Sequence, residues 1–173
     1  MREILFRGKR TDNGEWIEGA YCPFNLNSFG EKEEKPHIII ISDDKNIDGL
    51  WCEVIPETVG QFTGLTDKNG KRIFEGDIVK IVDFQMGCVV YECGAFGIAV
   101  KPYIDWNYLD SEIAEITGCN NSPDFCRNDN FISLWELMWN YNQEENSCDV
   151  VEVIGNIHDN SELLEGGEGD GII

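Results

Sequence analysis

Residues 77–100 read DIVKIVDFQMGCVVYECGAFGIAV, and this stretch decides the fold class of the chain. It contains three short apolar runs that are rich in Val and Ile, at 77–82, 87–92 and 95–100, with glycine where the runs meet. Strands of about six residues joined at glycines are typical of a small barrel or a strongly bent sheet. A late run at 149–157 has the same character, and we expect it to pair with the strands of 77–100. The stretch therefore predicts a mainly β protein.

Two Asn-Gly turns predict hairpins in the first half. Asp12-Asn13-Gly14 lies between strand-like runs at 3–8 and 15–21, and Asp67-Lys68-Asn69-Gly70 lies between runs at 62–65 and 71–74. Asn-Gly supplies the left-handed residues that a tight hairpin turn needs. We also expect a short helical turn to begin at Pro56, since proline is tolerated at a first helical position.

One longer helix is predicted near 133–142. Ser133 and Glu136 have the spacing of a capping box, in which each end of the first turn bonds to the other. The apolar residues that follow have helical spacing at Leu134, Leu137, Met138 and Tyr141. Such an apolar stripe is more often core packing than a groove for a partner.

The domain organisation that follows has three parts. Residues 1–74 form an N-terminal β subdomain, and residues 75–164 form a small barrel that carries an insertion at 101–148. The insertion is expected to be mostly loop, with a short helix near 111–116. Residues 165–173 are expected to be a mobile acidic, glycine-rich tail, because they contain little to bury.

Charge and cysteine usage limit the classes of function. The formal net charge is -20, and residues 83–173 hold 18 Asp and Glu against only 2 Lys and Arg. This half repels phosphate, which weighs against direct binding of nucleic acid. The start of the chain has no apolar run of a signal peptide, so a cytoplasmic protein is expected, with no membrane partner. The 7 cysteines have irregular spacing and no Cys-x-x-Cys, which favours reduced thiols over a disulfide framework or a zinc site.

Three residues are candidates for acid-base or metal chemistry. Glu75 and Asp77 are two residues apart before a strand and would share one face of an extended chain, where they could bind a hard cation. The simpler interpretation is that Gly76 adopts a turn conformation and Asp77 bonds a backbone N–H. His158 follows the late strand, but no orienting partner or nucleophile can be named for it. No catalytic residue, metal ligand or cofactor is assigned from the sequence.

A small basic and aromatic surface is the other candidate. On a β-strand Arg7 and Lys9 point to one side, and Trp16 lies on the adjacent strand of the first hairpin. Cations near an indole ring can form a recognition surface. Local salt bridges with Glu15 and Glu18 across the hairpin are the simpler interpretation.

Three segments of the chain resemble the YopX-like family of phage and prophage proteins. The first contains REILFRGKR at 2–10 followed by Gly14-Glu15-Trp16; the second runs from VIPETVGQFTGL at 54–65 through DKNG to IFEGDIV at 73–79; and the third is VIGNIHDN at 153–160. The resemblance covers residues 1–21, 54–82 and 150–164. It implies a phage-derived gene expressed in a bacterial cytoplasm, and a β-rich fold that is SH3-like in its second half. It implies no reaction, substrate or site residue.

Three hypotheses for the function are consistent with the sequence. The leading hypothesis is a non-catalytic accessory module that binds a host or phage protein. The second is an acidic decoy that imitates nucleic acid toward a host protein, and the third is an enzyme or metal-dependent protein of unknown reaction. Self-association stays open at this stage.

Overall fold

The computed structural model describes residues 4–23, 25–26, 32–33, 37–40, 50–82, 85–92, 94–101, 103–117, 130–141 and 147–165. Within these residues the protein is mainly β, as the sequence predicts, and its sheets are largely antiparallel. The chain divides into two compact units, residues 1–62 and residues 63–173. Across the described residues, no helix is long and apolar enough to cross a membrane.

The first unit is built on an antiparallel sheet in the order β1-β2-β5-β6. Its strands are β1 (Phe6–Lys9), β2 (Trp16–Cys22), β5 (His37–Ile40) and β6 (Leu50–Glu53), while β3 (Asn25–Leu26) and β4 (Lys32–Glu33) pair separately with each other. The predicted hairpin of β1 and β2 is confirmed, with Gly8 opposite Ile17 and Lys9 opposite Trp16.

After β6 the chain returns to the far edge of β1. Val54 bridges Arg10, and the Ile55 N–H donates to the Lys9 carbonyl over 2.8 Å. A 3-10 turn at Pro56–Thr58 follows, close to the predicted position, and strand β7 (Gly60–Asp67) begins by pairing with Phe6 and Arg7. Both edges of β1 are therefore occupied, which holds its outward-facing side chains at fixed positions.

The second unit contains the stretch that decides the fold class. Its central sheet has the order β12-β11-β10-β9-β14. The elements after β7 are β8 (Arg72–Phe74), β9 (Asp77–Ile81), β10 (Gln85–Glu92), β11 (Ala95–Val100), α1 (Trp106–Thr117), β12 (Phe131–Ser133), α2 (Leu134–Tyr141), β13 (Ser147–Cys148), β14 (Val151–Asn156) and α3 (Glu162–Glu165). The predicted pairing of the late strand is confirmed, because β14 lies antiparallel to β9.

The core of this unit lies against one face of the sheet. Val79, Val89, Ile98 and Val153 are buried there, and Leu137 of α2 is fully buried in the same cluster. Burying a Val, Leu or Ile side chain stabilises a fold by about 1.5–3 kcal/mol. The helix predicted near 133–142 is thus confirmed, and its residues Leu134, Leu137 and Met138 pack in or against the core.

A buried carboxylate joins the β7–β8 turn to strand β14. Asp67 is 1% exposed, and its Oδ1 accepts the N–H groups of Asn69 and Lys71 over 2.8 and 2.9 Å. Its Oδ2 accepts the Val153 N–H over 2.9 Å, and the Lys68 N–H donates to the Val151 carbonyl over 2.9 Å. The outer edge of β14 is therefore covered by this turn. We call this set of bonds the Asp67 link.

The Asp67 link bears on the predicted barrel. The central sheet is not the closed SH3-like barrel that was expected: in the described residues its order ends at β12 on one side and at β14 on the other. The physical reason is that the β7–β8 turn, rather than another strand of the sheet, occupies the edge of β14. The compact units are residues 1–62 and 63–173, and the β7–β8 hairpin is bonded to β14 within the second of them. The domain boundary at 74/75 stays a prediction.

The expected insertion at 101–148 carries more regular structure than a loop. Helix α1 runs from Trp106 to Thr117, so the helix expected near 111–116 begins five residues earlier. Asp105 caps it, since its Oδ1 accepts the Tyr108 N–H over 3.1 Å. The expected mobile tail lies outside the described residues from position 166 onward.

Candidate functional site

Arg7, Lys9 and Trp16 form a compact cluster on the first hairpin, and we call it the Trp16 cluster. The register places Lys9 directly opposite Trp16, and Arg7 is two residues from Lys9 on the same face of β1. The Arg7 Cζ lies 4.9 Å from the centre of the Trp16 ring, and the Lys9 Nζ lies 5.4 Å from it. All three residues are half-buried. The structure therefore brings together the basic and aromatic residues that the sequence singles out.

The Trp16 cluster holds two like charges next to one ring. Each cation–π contact at a partly exposed site contributes about 0.5–1 kcal/mol, which offsets part of the repulsion between the two cations. The register also places Glu18 opposite Arg7, as the salt-bridge interpretation requires. Glu15 bends toward the turn, where its Oε2 accepts the Asn13 Nδ2 over 2.8 Å.

Arg10, the next cation along β1, has a local partner in the turn. Its guanidinium binds the Asp12 carboxylate through Nε over 2.8 Å and through Nη2 over 2.5 Å. The hydrogen bond from Arg10 lowers the pKa of Asp12, and the same bond raises the pKa of Arg10. Arg10 therefore adds no positive charge to the Trp16 cluster.

Asp77, one of the two carboxylates predicted to share a face with Glu75, has a structural role in the turn between them. Asp77 is 1% exposed, and its Oδ2 accepts the Phe74 N–H over 2.8 Å. Gly76 between them has a φ of +80°, which is the left-handed conformation that glycine tolerates. The simpler interpretation from the sequence is thus confirmed, and Asp77 closes a turn.

His158 lies beside this turn. The Ile157 N–H donates to the Gly76 carbonyl over 2.9 Å, and a Cβ added at Gly76 would lie 4.0 Å from the His158 Nε2. The His158 backbone N–H donates to the Asn156 Oδ1 over 2.9 Å, which makes this a second turn held by its own side chains. The Asp77 carboxylate accepts the Phe74 N–H, and the Ile157–Gly76 bond brings the two turns together.

Metal and thiol chemistry find little support in the described part of the chain. There, no group of three or more His, Cys, Asp or Glu side chains could hold a metal ion. The four cysteines described, Cys22, Cys52, Cys88 and Cys148, are free thiols. Burial, with a smaller effect of Asp149, raises the pKa of Cys148 to about 12. Its thiol is therefore protonated at neutral pH and is a poor nucleophile.

The sequence did not single out the exposed face of α1. Tyr108, Glu112 and Glu115 follow one another at helical spacing, and the Tyr108 hydroxyl hydrogen-bonds to Glu112. Local desolvation and the negative charges of Glu112 and Glu115 raise the pKa of Tyr108. Leu109, the residue that follows Tyr108, is 1% exposed and anchors α1 in the core. We call these three residues the α1 face; their i, i+4, i+7 spacing is the signal that could have revealed them.

Comparison with known proteins identifies the family. The family model described as YopX protein matches residues 5–165, which is most of the chain. No curated protein matches the chain. The match runs through both compact units and includes the Trp16 cluster, the Asp67 link and the α1 face. The chain belongs to the YopX protein family.

Proposed function

We propose that this chain is a non-catalytic accessory protein of phage or prophage origin that acts in the bacterial cytoplasm and binds a basic partner protein. The α1 face is the observation that carries the proposal. It presents one phenol ring and two carboxylates on a helix that Leu109 anchors in the core. Carboxylates and aromatic rings are the groups that recognise Lys and Arg side chains.

The charge distribution of α1 supports a role other than stability. Residues 102–126 contain no Lys or Arg, and the last turn of α1 has no basic residue. Carboxylates near a helix C-terminus interact unfavourably with the helix dipole, so Glu115 does not stabilise its own helix. A partner with positive charge would compensate both carboxylates.

Long-range electrostatics favour the same partner. The 18 acidic residues of 83–173 against 2 basic ones produce a negative field that steers a cationic protein toward this half of the chain. The second unit also exposes Tyr103 and Trp135, at 61% and 53%, which are large side chains of the kind that anchor interfaces.

The experiment compares two variants with equal charge. Three forms of the protein are used to capture proteins from host lysate. They are the wild type, a variant that carries Glu112→Gln and Glu115→Gln, and a control that carries Glu57→Gln and Glu92→Gln. The control residues are exposed and lie outside α1. We expect the α1 variant to lose a basic partner that wild type and control both retain, and cross-linking to place that partner on α1. Equal capture by all three proteins, or equal loss in both variants, would contradict the proposal.

The acidic decoy is the second candidate, and the same charge distribution favours it. A decoy would occupy the nucleic-acid site of its target, so duplex DNA would displace the captured partner from the chain. An accessory module would keep its partner in the presence of DNA. The competition assay therefore separates the two functions once a partner is in hand.

A further inference from the structure

We propose that the Trp16 cluster is an anion-recognition site for an acidic peptide segment of a partner protein. This site lies in the first unit and is independent of the α1 face. Its chemistry is opposite to that of the α1 face, since it would hold a carboxylate, or a phosphate carried on a peptide side chain.

The geometry of the cluster is the first reason. Arg7 and Lys9 are neighbours on one face of β1, so their Cα atoms are roughly 7 Å apart. Both cations lie against the same indole, at 4.9 and 5.4 Å from its centre. Stacking on a ring restricts the rotamers of these long side chains, so little conformational entropy remains to be lost when an anion binds.

The rigidity of the strand is the second reason. β1 is paired with β2 on one edge and with Gly60, Gln61 and the segment after β6 on the other. The Lys9 N–H is further bonded to the Thr58 Oγ1 over 2.9 Å, and Thr58 is itself buried. A binding group held on a paired strand is positioned more accurately than one on a loop.

Glu18 provides the most specific test of the proposed anion site. This exposed carboxylate is opposite Arg7 in the register, and it is the internal group with which an incoming anion must compete. Glu15, the other nearby carboxylate, is engaged by Asn13. Removing the charge of Glu18 should therefore strengthen binding of an anion, whereas a purely structural cluster would gain nothing from that change.

The net charge of the chain favours a short acidic peptide over a polyanion as the ligand, because repulsion grows with the number of anionic groups. At a net charge of -20 the protein repels nucleic acid at long range, and two cations can neutralise only one or two anionic groups. A short acidic segment meets this limit, because a single carboxylate or phosphate can engage both cations at close range.

The test is a titration of the full chain with defined probes at low salt. The probes are a fluorescent peptide of eight residues that contains one Glu and one Asp, the same peptide with Gln and Asn, a singly phosphorylated Ser peptide, and an oligonucleotide of equal length. Binding is followed by anisotropy and by the NMR signals of the Trp16 Nε1–H and the Arg7 Nε–H. The variant carries Arg7→Gln and Lys9→Gln, and the control carries Lys71→Gln and Arg72→Gln, which are exposed and change the net charge equally.

We expect the acidic peptide to bind wild type and the control alike, and to bind the Arg7/Lys9 variant about tenfold more weakly. Glu18→Gln should tighten binding by about threefold, and this variant keeps the test decisive if the double variant does not fold. Preference for the phosphopeptide over the acidic peptide would assign the anion as phosphate.

Three results would overturn the proposal. They are equal binding of the acidic and the neutral peptide, unchanged affinity in a folded Arg7/Lys9 variant or in Glu18→Gln, and binding of the oligonucleotide in preference to both peptides. None of these results depends on the α1 face, so the two proposals fail separately.

Discussion

The two Asn-Gly turns of this protein, Asp12-Asn13-Gly14 and Asp67-Lys68-Asn69-Gly70, each contain an aspartate, and they differ in what that aspartate does. Gly14 and Gly70 have φ values of +73° and +78°, so both turns use the same left-handed glycine. Asp12 of the first turn is exposed and pairs with Arg10, two residues away. Asp67 of the second turn is buried and bonds to Val153, 86 residues away.

The difference shows that a turn motif fixes local geometry but does not determine how much its residues contribute to stability. Asp12 competes with water for one nearby cation, and such pairs contribute little to stability. Asp67 accepts three backbone N–H groups away from solvent, and leaving a buried donor without its acceptor is costly. An aspartate next to an Asn-Gly turn is therefore peripheral in one unit and central in the other.

Replacing Asp67 should have the largest effect in this comparison. Asp67→Ala should lower the free energy of unfolding by on the order of 3 kcal/mol, because it removes all three acceptors. Asp67→Asn keeps an oxygen for Asn69 and Lys71 but turns an N–H toward Val153, so it isolates the long-range bond. Urea unfolding followed by circular dichroism measures both. If Asp67→Ala costs no more than Asp12→Ala, the distinction between the two turns is wrong.

The glycines should behave alike. A Cβ at Gly14 or Gly70 would meet no atom within 4 Å, so only the strained backbone resists substitution. Gly14→Ala and Gly70→Ala should each cost about 1 kcal/mol. Hydrogen exchange of the amides next to each turn reports the local loss. A Gly70→Ala cost several times that of Gly14→Ala would mean that the second turn is constrained by more than its own conformation.

The ion pair between Lys68 and Glu152 should contribute less. Its Nζ and Oε2 atoms are 2.7 Å apart, and both side chains are about one-third exposed. Double-mutant cycles with Lys68→Ala and Glu152→Ala should give a coupling energy of about 0.5 kcal/mol that falls as salt is added. A coupling close to that of the Asp67–Val153 bond would show that charge, and not the buried carboxylate, holds the turn to β14.

Asp12 should give the smallest effect, and one that depends on pH. Its pKa is lowered below 3.8, chiefly by the hydrogen bond from Arg10. A group whose folded pKa is depressed adds stability above its unfolded pKa and loses it as the pH falls through the folded pKa. The contribution is therefore present at neutral pH, and its loss occurs in acid below about pH 4. An NMR titration of the Asp12 carboxyl should show the pKa returning toward 3.8 in Arg10→Gln. No change on that substitution would remove Arg10 as the cause.

Many of the strands and both Asn-Gly hairpins could be predicted from the sequence, because their cause is local. Alternating and β-branched runs bounded by glycine mark β9, β10 and β11, and the Asn-Gly turns mark both hairpins. The closure of the sheet could not be predicted, since it depends on which group occupies the outer edge of β14. That group is a turn residue, and its partner, the Val153 N–H, lies 86 residues away and cannot be identified from the turn sequence.

The candidate sites also differ in whether they could be predicted from the sequence. The Trp16 cluster was predictable, because its three residues lie on one hairpin whose register is set by its turn. The structural role of Asp77 was also predictable from the glycine beside it. The α1 face was missed, because the helix lies in a segment with few apolar periodic signals before Leu109 and its aromatic residue is surrounded by acids.

The 86-residue separation within the Asp67 link also sets the order in which the protein can fold on the ribosome. The pairings of the first unit are complete once residue 62 has emerged, whereas the sheet of the second unit must wait for β14 at residue 151. At about 5–20 residues per second, translation of the intervening chain takes roughly 5–18 s. During that interval the apolar strands β9 to β11 are synthesised but lack their last neighbour, which makes them the segment of the nascent chain most in need of a chaperone.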